Sequence, residues 1–258
     1  MKRLKKVAKW LLVAVLVLVA GVVVWGVVAN EPRPDGGESG EAADALARRV
    51  QAAVGHEGFE ELGAIAFDFA GMNRHLWDRE RGYAYVSWGD LPSPGGPSDG
   101  GETEVWLRLG DKSGVVKVDG SEVRGEDADE LRETAWGRHI NDTFWLYPFD
   151  SFFDEGVTRK AIGDALWVEY SSGGATPGDG YLWHLDSDGR PTHWQMWVSV
   201  IPVGGVEASW ARWETVGEGV AIATEHEMGP LGFEVTHLRV ADSAAELADG
   251  DDPFAPLH

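Results

Sequence analysis

The sequence predicts a mainly β (α+β) domain built on an antiparallel sheet of about ten strands and preceded by a transmembrane helix. Three observations predict this class: a twenty-residue run without charge near the N-terminus, period-two hydrophobicity after Gly63, and tight-turn sequences between successive short strands. Successive strands joined by tight turns form antiparallel meanders. The 258 residues suffice for one such domain beside a membrane segment.

Residues 1–29 predict a basic cytoplasmic N-terminus and a membrane anchor. The run Trp10–Ala29 is uncharged, and at ~1.5 Å per residue it matches the ~30 Å hydrocarbon core. Five basic residues and no acid lie in the first nine positions. This asymmetry predicts a membrane-anchored domain on the extracytoplasmic (periplasmic) side. A signal peptide cleaved after Ala29 is the alternative, although the run exceeds the ~7–15 apolar residues usual for one.

Composition excludes several classes of site. The chain has no cysteine, so disulfides, a lipidated N-terminal cysteine and zinc–thiolate sites are excluded. The formal net charge is −21 although the N-terminus is basic, so the remaining chain is strongly acidic. Such a surface repels polyanions, and we expect no nucleic-acid partner.

Three segments follow the predicted anchor. Residues 30–40 are rich in Gly, Pro and acid, which predicts a flexible linker. Residues 41–243 form the domain, and residues 244–258 are predicted to be an acidic tail that frays. The domain is expected to begin with a helix capped by Ser39, because three apolar residues recur on one helical face: Leu46, Val50 and Val54.

Short β-branched and aromatic runs then predict the strands. The runs are "AIAFDFAG", "YAYVSWG", "TEVWLRLG" and "GVVKVDG", and after Asp154 "ALWVEYS", "DGYLWHLD", "THWQMWVSV", "VEASWARWETV", "VAIATEHEM" and "FEVTHLRV". Gly89–Glu102, dense in Pro and Gly, predicts a long loop, and Asp186–Pro191 predicts a hairpin turn.

One helix is predicted between the two groups of strands. Asp127 followed by Glu130 resembles a capping box, and Pro148 ends the helix. Four large apolar residues share one face of it: Trp136, Ile140, Phe144 and Tyr147. We expect this face to be buried against the sheet.

Aromatic residues occupy both faces of the predicted sheet. Trp194 and Met196 point to one face of their strand and Trp197 to the other. Either helices cover part of the second face, or the sheet curves around an apolar hollow. The rings then form a core or line a ligand cavity. The candidate ligand-binding residues are Trp136, Ile140, Phe144, Tyr147, Trp194 and Met196.

No catalytic motif was found, and the chain is predicted not to be an enzyme. It lacks a G-x-S-x-G elbow, an H-E-x-x-H helix, a P-loop and a G-x-G-x-x-G turn. His139, Asp142 and Asp154 can be imagined as metal ligands, but no spacing rule selects them. Structural pairing is favoured, with Asn141, Asp142 and Asp154 as a polar latch. We predict no metal and no cofactor.

The segments "HINDTFWLYPFDSFFDEGV" and "LWVEYSSGGATPGDGYLWHLDSDGRPTHWQMW" resemble a group of bacterial exported proteins. That group is similar to the LolA-type superfamily of lipoprotein-sorting carriers, and the resemblance covers roughly residues 43–240. It implies a strongly curved antiparallel half-barrel with helices across its concave face and an apolar cavity for acyl chains. Phe144 stands where the group has Tyr, and Glu155 where it has Pro. The matching residues are Asn141, Asp142, Thr143, Trp145, Leu146, Pro148, Asp154, Gly156, Val157, Thr176, Pro177, Gly178, Asp179 and Tyr181.

Two functions therefore stay open. The first is a membrane-anchored extracytoplasmic protein that binds a lipid, an acyl chain or another amphiphile, involved in lipid or lipoprotein trafficking. The second is a structural or interaction domain of the cell envelope whose hollow is filled by its own rings. The sequence names no ligand.

Overall fold

A computed structural model describes residues 30–89, 101–172 and 177–258. This part of the chain is mainly β, with two antiparallel sheets of nine and five strands rather than about ten strands in all. No helix within it is long and apolar enough to cross a membrane. The anchor predicted at Trp10–Ala29 and Thr176 of the family-like motif lie outside the described residues.

The larger sheet is built from two separate parts of the chain. Its order is β12–β13–β14–β1–β2–β3–β4–β5–β6, so the last long strand pairs with the first, through partners such as Ile65 and Val240. The strands are β1 Ala64–Phe69, β2 Asn73–Asp78, β3 Tyr83–Trp88, β4 Thr103–Arg108, β5 Gly114–Val118, β6 Ser121–Val123, β12 Ala211–Val216, β13 Val220–Met228 and β14 Leu231–Ala241.

The smaller sheet is a simple meander in the order β11–β10–β9–β8–β7. Trp210 alone separates β11 from β12, so one stretch of chain passes from this sheet to the larger one. Nδ1 of His226 in β13 lies 3.0 Å from the carbonyl oxygen of Ser209, and this contact ties the two sheets together. The strands are β7 Val157–Ile162, β8 Ala165–Tyr170, β9 Asp179–Leu185, β10 Pro191–Trp197 and β11 Val206–Ser209.

The helices begin differently from the prediction. They are α1 Glu41–Ala53, α2 His56–Glu61, α3 Glu126–Leu146, a 3₁₀ helix Pro148–Phe153, α4 Ala244–Leu247 and a second 3₁₀ helix Ala255–Leu257. Neither Ser39 nor Asp127 caps a helix. Gly40 and Gly125 precede α1 and α3 with φ of 81° and 75°, a conformation that suits glycine, and acidic first turns favour both starts.

Helix α1 packs against β7 and β8, and α3 packs against β3, β4 and β5. The face of α3 that is buried differs from the predicted one. It is formed mainly by Ala128, Ala135, His139, Asp142 and Leu146. Two alanines let the helix backbone approach the sheet closely, while Trp136, Ile140 and Phe144 lie half-buried on its flank.

The C-terminal residues are part of the fold, which corrects the prediction of a fraying tail. Phe254 and Leu257 are buried with Trp106 of β4, on the sheet face opposite α3. The indole Nε1 of Trp106 donates to the carbonyl oxygen of Pro253 at 3.0 Å. The Arg81 guanidinium binds both carboxylate oxygens of Asp252, at 2.9 and 3.1 Å. The few apolar side chains of this acidic segment therefore hold it against the larger sheet.

The segment predicted to be a flexible linker is also bound. Trp167 and Trp197 lie on the face of the five-stranded sheet away from the helices. The carbonyl oxygen of Glu31 accepts the Trp197 indole N–H at 2.8 Å, and Glu38 pairs with Ala161 at the sheet edge. This explains why aromatic residues occupy both faces of the sheets. Helices cover one face of each sheet. On the opposite faces, the C-terminal segment covers part of the larger sheet and the segment after residue 30 covers part of the smaller one.

Candidate functional site

An aromatic cluster fills the space between the two sheets and the helices. Its centre is Trp183, Trp194 and Trp210, each at most 2% exposed. The ring centroid of Trp194 lies 4.7 Å from that of Trp183 and 5.2 Å from that of Trp210. Phe149 of the 3₁₀ helix lies 5.3 Å from Trp183 and 5.4 Å from Trp210. Mixed tilted and edge-to-face contacts of this kind stabilise ring clusters.

The C-terminal end of α3 covers this cluster with two half-buried rings. Phe144 lies 5.1 Å from Tyr181 and 5.8 Å from Trp194. Trp145 lies 4.6 Å from Trp194 and 4.8 Å from Phe233 of β14. Phe144 and Trp145 are partly exposed, so they form part of the outer edge of the cluster.

The structure brings four of the six candidate ligand-binding residues into one apolar cluster: Phe144, Tyr147, Trp194 and Met196. Tyr147 stacks on Phe59 at 3.7 Å. Trp136 belongs to a separate cluster against β3–β5, where the Lys112 ammonium lies 3.8 Å above its ring. Ile140 is half-buried on α3 between them.

The cluster contains polar hydrogens without acceptors. The indole N–H groups of Trp183, Trp194 and Trp210 are fully buried, and no group in the described part of the chain accepts a hydrogen bond from them. The Tyr147 hydroxyl is in the same situation. Since most buried polar groups in proteins are paired, and each orphan costs ~1–3 kcal/mol, three indoles at one place form an unusual concentration of donors.

A polar network lies beside this cluster, at the start of β2. The Asp142 carboxylate is buried, and its Oδ2 lies 2.7 Å from Nδ2 of Asn73 and 2.8 Å from Nε2 of His75. Asn141 donates to the other oxygen at 2.9 Å, and Arg138 donates to the Asn73 side-chain oxygen. Asp142 thus joins α3 to the first residues of β2 through buried hydrogen bonds.

The other two predicted latch residues are placed differently. Asn141 is exposed, although its amide reaches Asp142, and Asp154 is exposed after the 3₁₀ helix. The pKa of the Asp154 carboxyl is raised by partial burial and by nearby Asp150. Asp154 therefore does not share the network of Asp142. Within the described residues no three His, Asp or Glu side chains are grouped to hold a metal ion.

Two histidines near the cluster are buried. His139 of α3 lies 5.9 Å from His75 and 5.4 Å from Trp77. Burial, with a smaller effect of His75, lowers the pKa of His139 to about 3. His226 lies 4.7 Å from Trp210, and burial lowers its pKa to about 4. Both imidazoles are neutral at pH 7.

Stability is expected to fall as the pH drops from about 6.5 towards 4. In the unfolded chain, imidazoles bind protons near pH 6.5, whereas folded His139 and His226 resist protonation down to about 3 and about 4. The unfolded state therefore binds more protons in this window, and each histidine contributes a slope of at most ~1.4 kcal/mol per pH unit. Urea unfolding between pH 7.5 and 5 measures it.

Replacing His139 or His226 with phenylalanine should flatten that profile between pH 6.5 and 5, where carboxylates still carry charge. His258, exposed at the C-terminus, supplies the matched control as His258→Phe. A wild-type profile without slope in this window contradicts buried neutral imidazoles.

Sequence reasoning missed the partners that β2 contributes to the network. Asn73 and His75 alternate with Arg74 and Leu76, which places both on the same strand face as Trp77. Two polar residues on a face that continues with a large ring are a usable signal for a buried polar contact. The helix sequence alone does not tell which strand supplies it.

Two open cavities lie on the outer side of the larger sheet, of about 630 and 510 Å³. Charged side chains line both, including Arg74, Glu104 and Arg239 in the first and Glu225 and Glu227 in the second. None of the six candidate ligand-binding residues lines either cavity.

Comparison with family models, curated proteins and solved structures finds no significant match for this chain.

Proposed function

We propose that the protein is a membrane-anchored, extracytoplasmic (periplasmic) binding protein for a lipid or another amphiphile, without catalytic activity. The ligand is proposed to lie between a strongly curved, half-barrel-like sheet and the C-terminal half of α3. Its apolar part would contact Phe144, Trp194 and Met196. A role in moving lipids or lipoproteins within the cell envelope would follow from such binding.

The observation that carries this proposal is that the buried indole N–H groups of Trp183, Trp194 and Trp210 find no acceptor among the residues that the structure describes. Indole donates and cannot accept, so each group needs an oxygen from outside the cluster. An amphiphile offers acceptor oxygens next to an apolar chain, which fits donors set among rings. Satisfying each donor recovers ~1–3 kcal/mol of its desolvation cost.

Ring contacts across the sheets support the curvature on which the proposal depends. Trp194 is in β10 and Phe233 is in β14, yet both rings lie within 5 Å of Trp145, at 4.6 and 4.8 Å. β10 belongs to the smaller sheet and β14 to the larger one, so side chains from both sheets meet at one ring of α3. Such convergence is what the proposed curvature requires.

The second candidate function is a structural or interaction domain without a ligand, and one observation favours it. The central rings already lie in contact, at centroid distances of 4.7, 5.1 and 5.2 Å. A ligand must therefore enter by displacing rings at the edge of the cluster, such as half-buried Phe144 and Trp145. A self-filled core needs no such movement.

Lipid extraction and native mass spectrometry of the full-length protein from its host membrane distinguish the two functions. A bound amphiphile of defined mass supports the binding protein. A protein that is empty, and whose tryptophan fluorescence ignores long-chain fatty acid, lysophospholipid and diacyl phospholipid alike, contradicts it.

Phe144→Ala is expected to weaken amphiphile binding by ~30–150-fold, which corresponds to ~2–3 kcal/mol of lost contact. Saturable change of tryptophan fluorescence during titration with the amphiphile measures the affinity. Trp136→Phe is the matched control, because Trp136 lies two turns earlier on α3 in the other cluster. If Phe144→Ala lowers the free energy of unfolding by ~3–5 kcal/mol and no variant binds, the ring fills a core.

A further inference from the structure

Exposed apolar side chains concentrate at one end of the domain. Four large apolar side chains in the described ranges are exposed: Val200 (73%), Leu231 (60%), Met72 (46%) and Phe153 (37%). Phe153 has partners, since the guanidinium groups of Arg48 and Arg159 lie 4.8 and 4.3 Å from its ring. The other three lie at chain reversals and are named here the apolar rim: Met72, Val200 and Leu231.

Strand pairing places the apolar rim at a single end of the sheets. Met72 lies in the turn after β1, whose last residue Phe69 pairs with Val235. Leu231 begins β14 four residues before Val235, so the β13–β14 hairpin extends ~13 Å past that pair. Val200 lies in the loop between β10 and β11. β11 runs from this loop to Ser209, whose hydroxyl accepts a hydrogen bond from Glu227 N–H of β13 at 2.9 Å. The loop therefore lies beyond that contact, on the side of the β13–β14 hairpin. All three turns therefore open towards the same side.

The described chain also begins at this end. The Asn30 side-chain oxygen accepts a hydrogen bond from Gly204 N–H at 2.8 Å, and Glu31 N–H donates to the Gly204 carbonyl oxygen at 3.0 Å. Gly204 belongs to the same β10–β11 loop as Val200. Asn30 directly follows the uncharged run Trp10–Ala29, so no free linker separates that run from the loop.

We propose that the apolar rim is a second membrane contact, which seats the open end of the domain on the bilayer that holds residues 10–29. This inference rests on the proposed anchor and not on the ligand. A bilayer fits the rim because its side chains are apolar and lie at separate turns. A transmembrane span of twenty residues ends at the membrane–water interface. Asn30 is the next residue and is hydrogen-bonded to the β10–β11 loop, so that loop lies within a few ångströms of the interface.

Charge near the rim favours neutral lipid. Glu227 and Glu234 lie on the β13–β14 hairpin behind Leu231, and the chain as a whole is acidic at −21. Acidic groups repel anionic headgroups. The contact is therefore with apolar chains and zwitterionic headgroups, and phosphatidylcholine vesicles are the appropriate probe.

Single cysteines in the cysteine-free full-length chain test the contact. Val200→Cys and Leu231→Cys report on the rim, and Glu218→Cys is the control because Glu218 is exposed in the β12–β13 turn at the opposite end. Each carries a nitroxide label, and the chains are reconstituted into phosphatidylcholine vesicles. Collision with lipid-soluble oxygen is compared with collision with a water-soluble nickel chelate on both sides of the membrane.

The expected result is that Val200 and Leu231 labels collide mainly with oxygen, while the Glu218 label collides several-fold more with nickel. Hydrogen exchange of the unlabelled chain should show slower exchange in residues 198–204 and 229–232 in vesicles than in detergent. If the chain floats with vesicles but either rim label behaves like Glu218, the rim contact is overturned and the anchor stands. If the chain does not float, both are overturned. If the purified protein carries no lipid but both rim labels collide mainly with oxygen, only the proposed ligand binding is contradicted.

Discussion

Replacing Asp142 with alanine is expected to lower the free energy of unfolding by about 3–5 kcal/mol. The carboxylate is buried and is the acceptor for the side chains of Asn73 and His75, at 2.7 and 2.8 Å. Alanine leaves both buried partners without an acceptor, and each orphan costs ~1–3 kcal/mol. It also removes the hydrogen bonds that join α3 to β2. Chemical denaturation of the purified variants measures the loss.

Asn141→Ala is the matched control for Asp142→Ala. Asn141 is the adjacent residue on α3 and donates to the same carboxylate, yet it is exposed. Its loss should change stability by less than ~1 kcal/mol. If Asp142→Ala leaves stability unchanged while a metal-dependent activity disappears, the network is a reaction site and the structural interpretation is wrong.

Trp194→Ala is expected to destabilise the protein by about 3–5 kcal/mol, the range found for large buried aromatics. Trp194 has 0% exposure and lies within 6 Å of five rings, those of Phe144, Trp145, Tyr181, Trp183 and Trp210. Urea unfolding followed by far-UV circular dichroism measures the loss without depending on tryptophan fluorescence.

Trp213→Ala provides the comparison for Trp194→Ala. Trp213 belongs to the same cluster but is only half-buried, with its ring 6.2 Å from that of Trp210. Its truncation should cost clearly less than that of Trp194. Equal and small losses at both positions indicate a loosely filled interior, which favours the ligand hypothesis over the self-filled core.

Much of the sheet could be predicted because its strands are short, alternating and bounded by turn residues. "TEVWLRLG" and "VAIATEHEM" correspond to β4 and β13. The strand number was too low because β2, β6 and β7 were missed and β11 and β12 were taken as one run. In β2, polar Asn73 and His75 occupy the buried face, where the pattern needs hydrophobic residues. Hydrogen bonding to neighbours makes these segments strands, and that information is not local.

The terminal segments show a second limit of sequence reasoning. Residues 30–40 and 244–258 are acidic and rich in turn residues, which predicts mobility. A few apolar side chains decide otherwise, since Phe254 is fully buried against the sheet. Glu31 contributes only its backbone to the Trp197 indole. Composition describes the average of a segment, whereas docking depends on single contacts.

The candidate site was predicted in part for a similar reason. Helical periodicity identified the rings of α3 but not the direction in which the helix lies on the sheet. Ala128 and Ala135 form the contact between α3 and the sheet, so Trp136 lies at the side of this contact and is only half-buried. Phe144 and Trp194 meet because the chain reverses after Tyr147, a tertiary event that no local pattern contains.

The pairing of β1 with β14 also has a consequence for the order of folding. Ala64 and Ala241 are partners although 177 positions of chain separate them. During synthesis from the N-terminus, β1 can pair with β2 early, but its other edge stays open until the last long strand has been made. Sheets closed by such distant pairs fold slowly, and an open edge invites pairing with other chains. Completion of the larger sheet therefore waits for β14, so chains that terminate before Leu231 should aggregate rather than form a shortened domain.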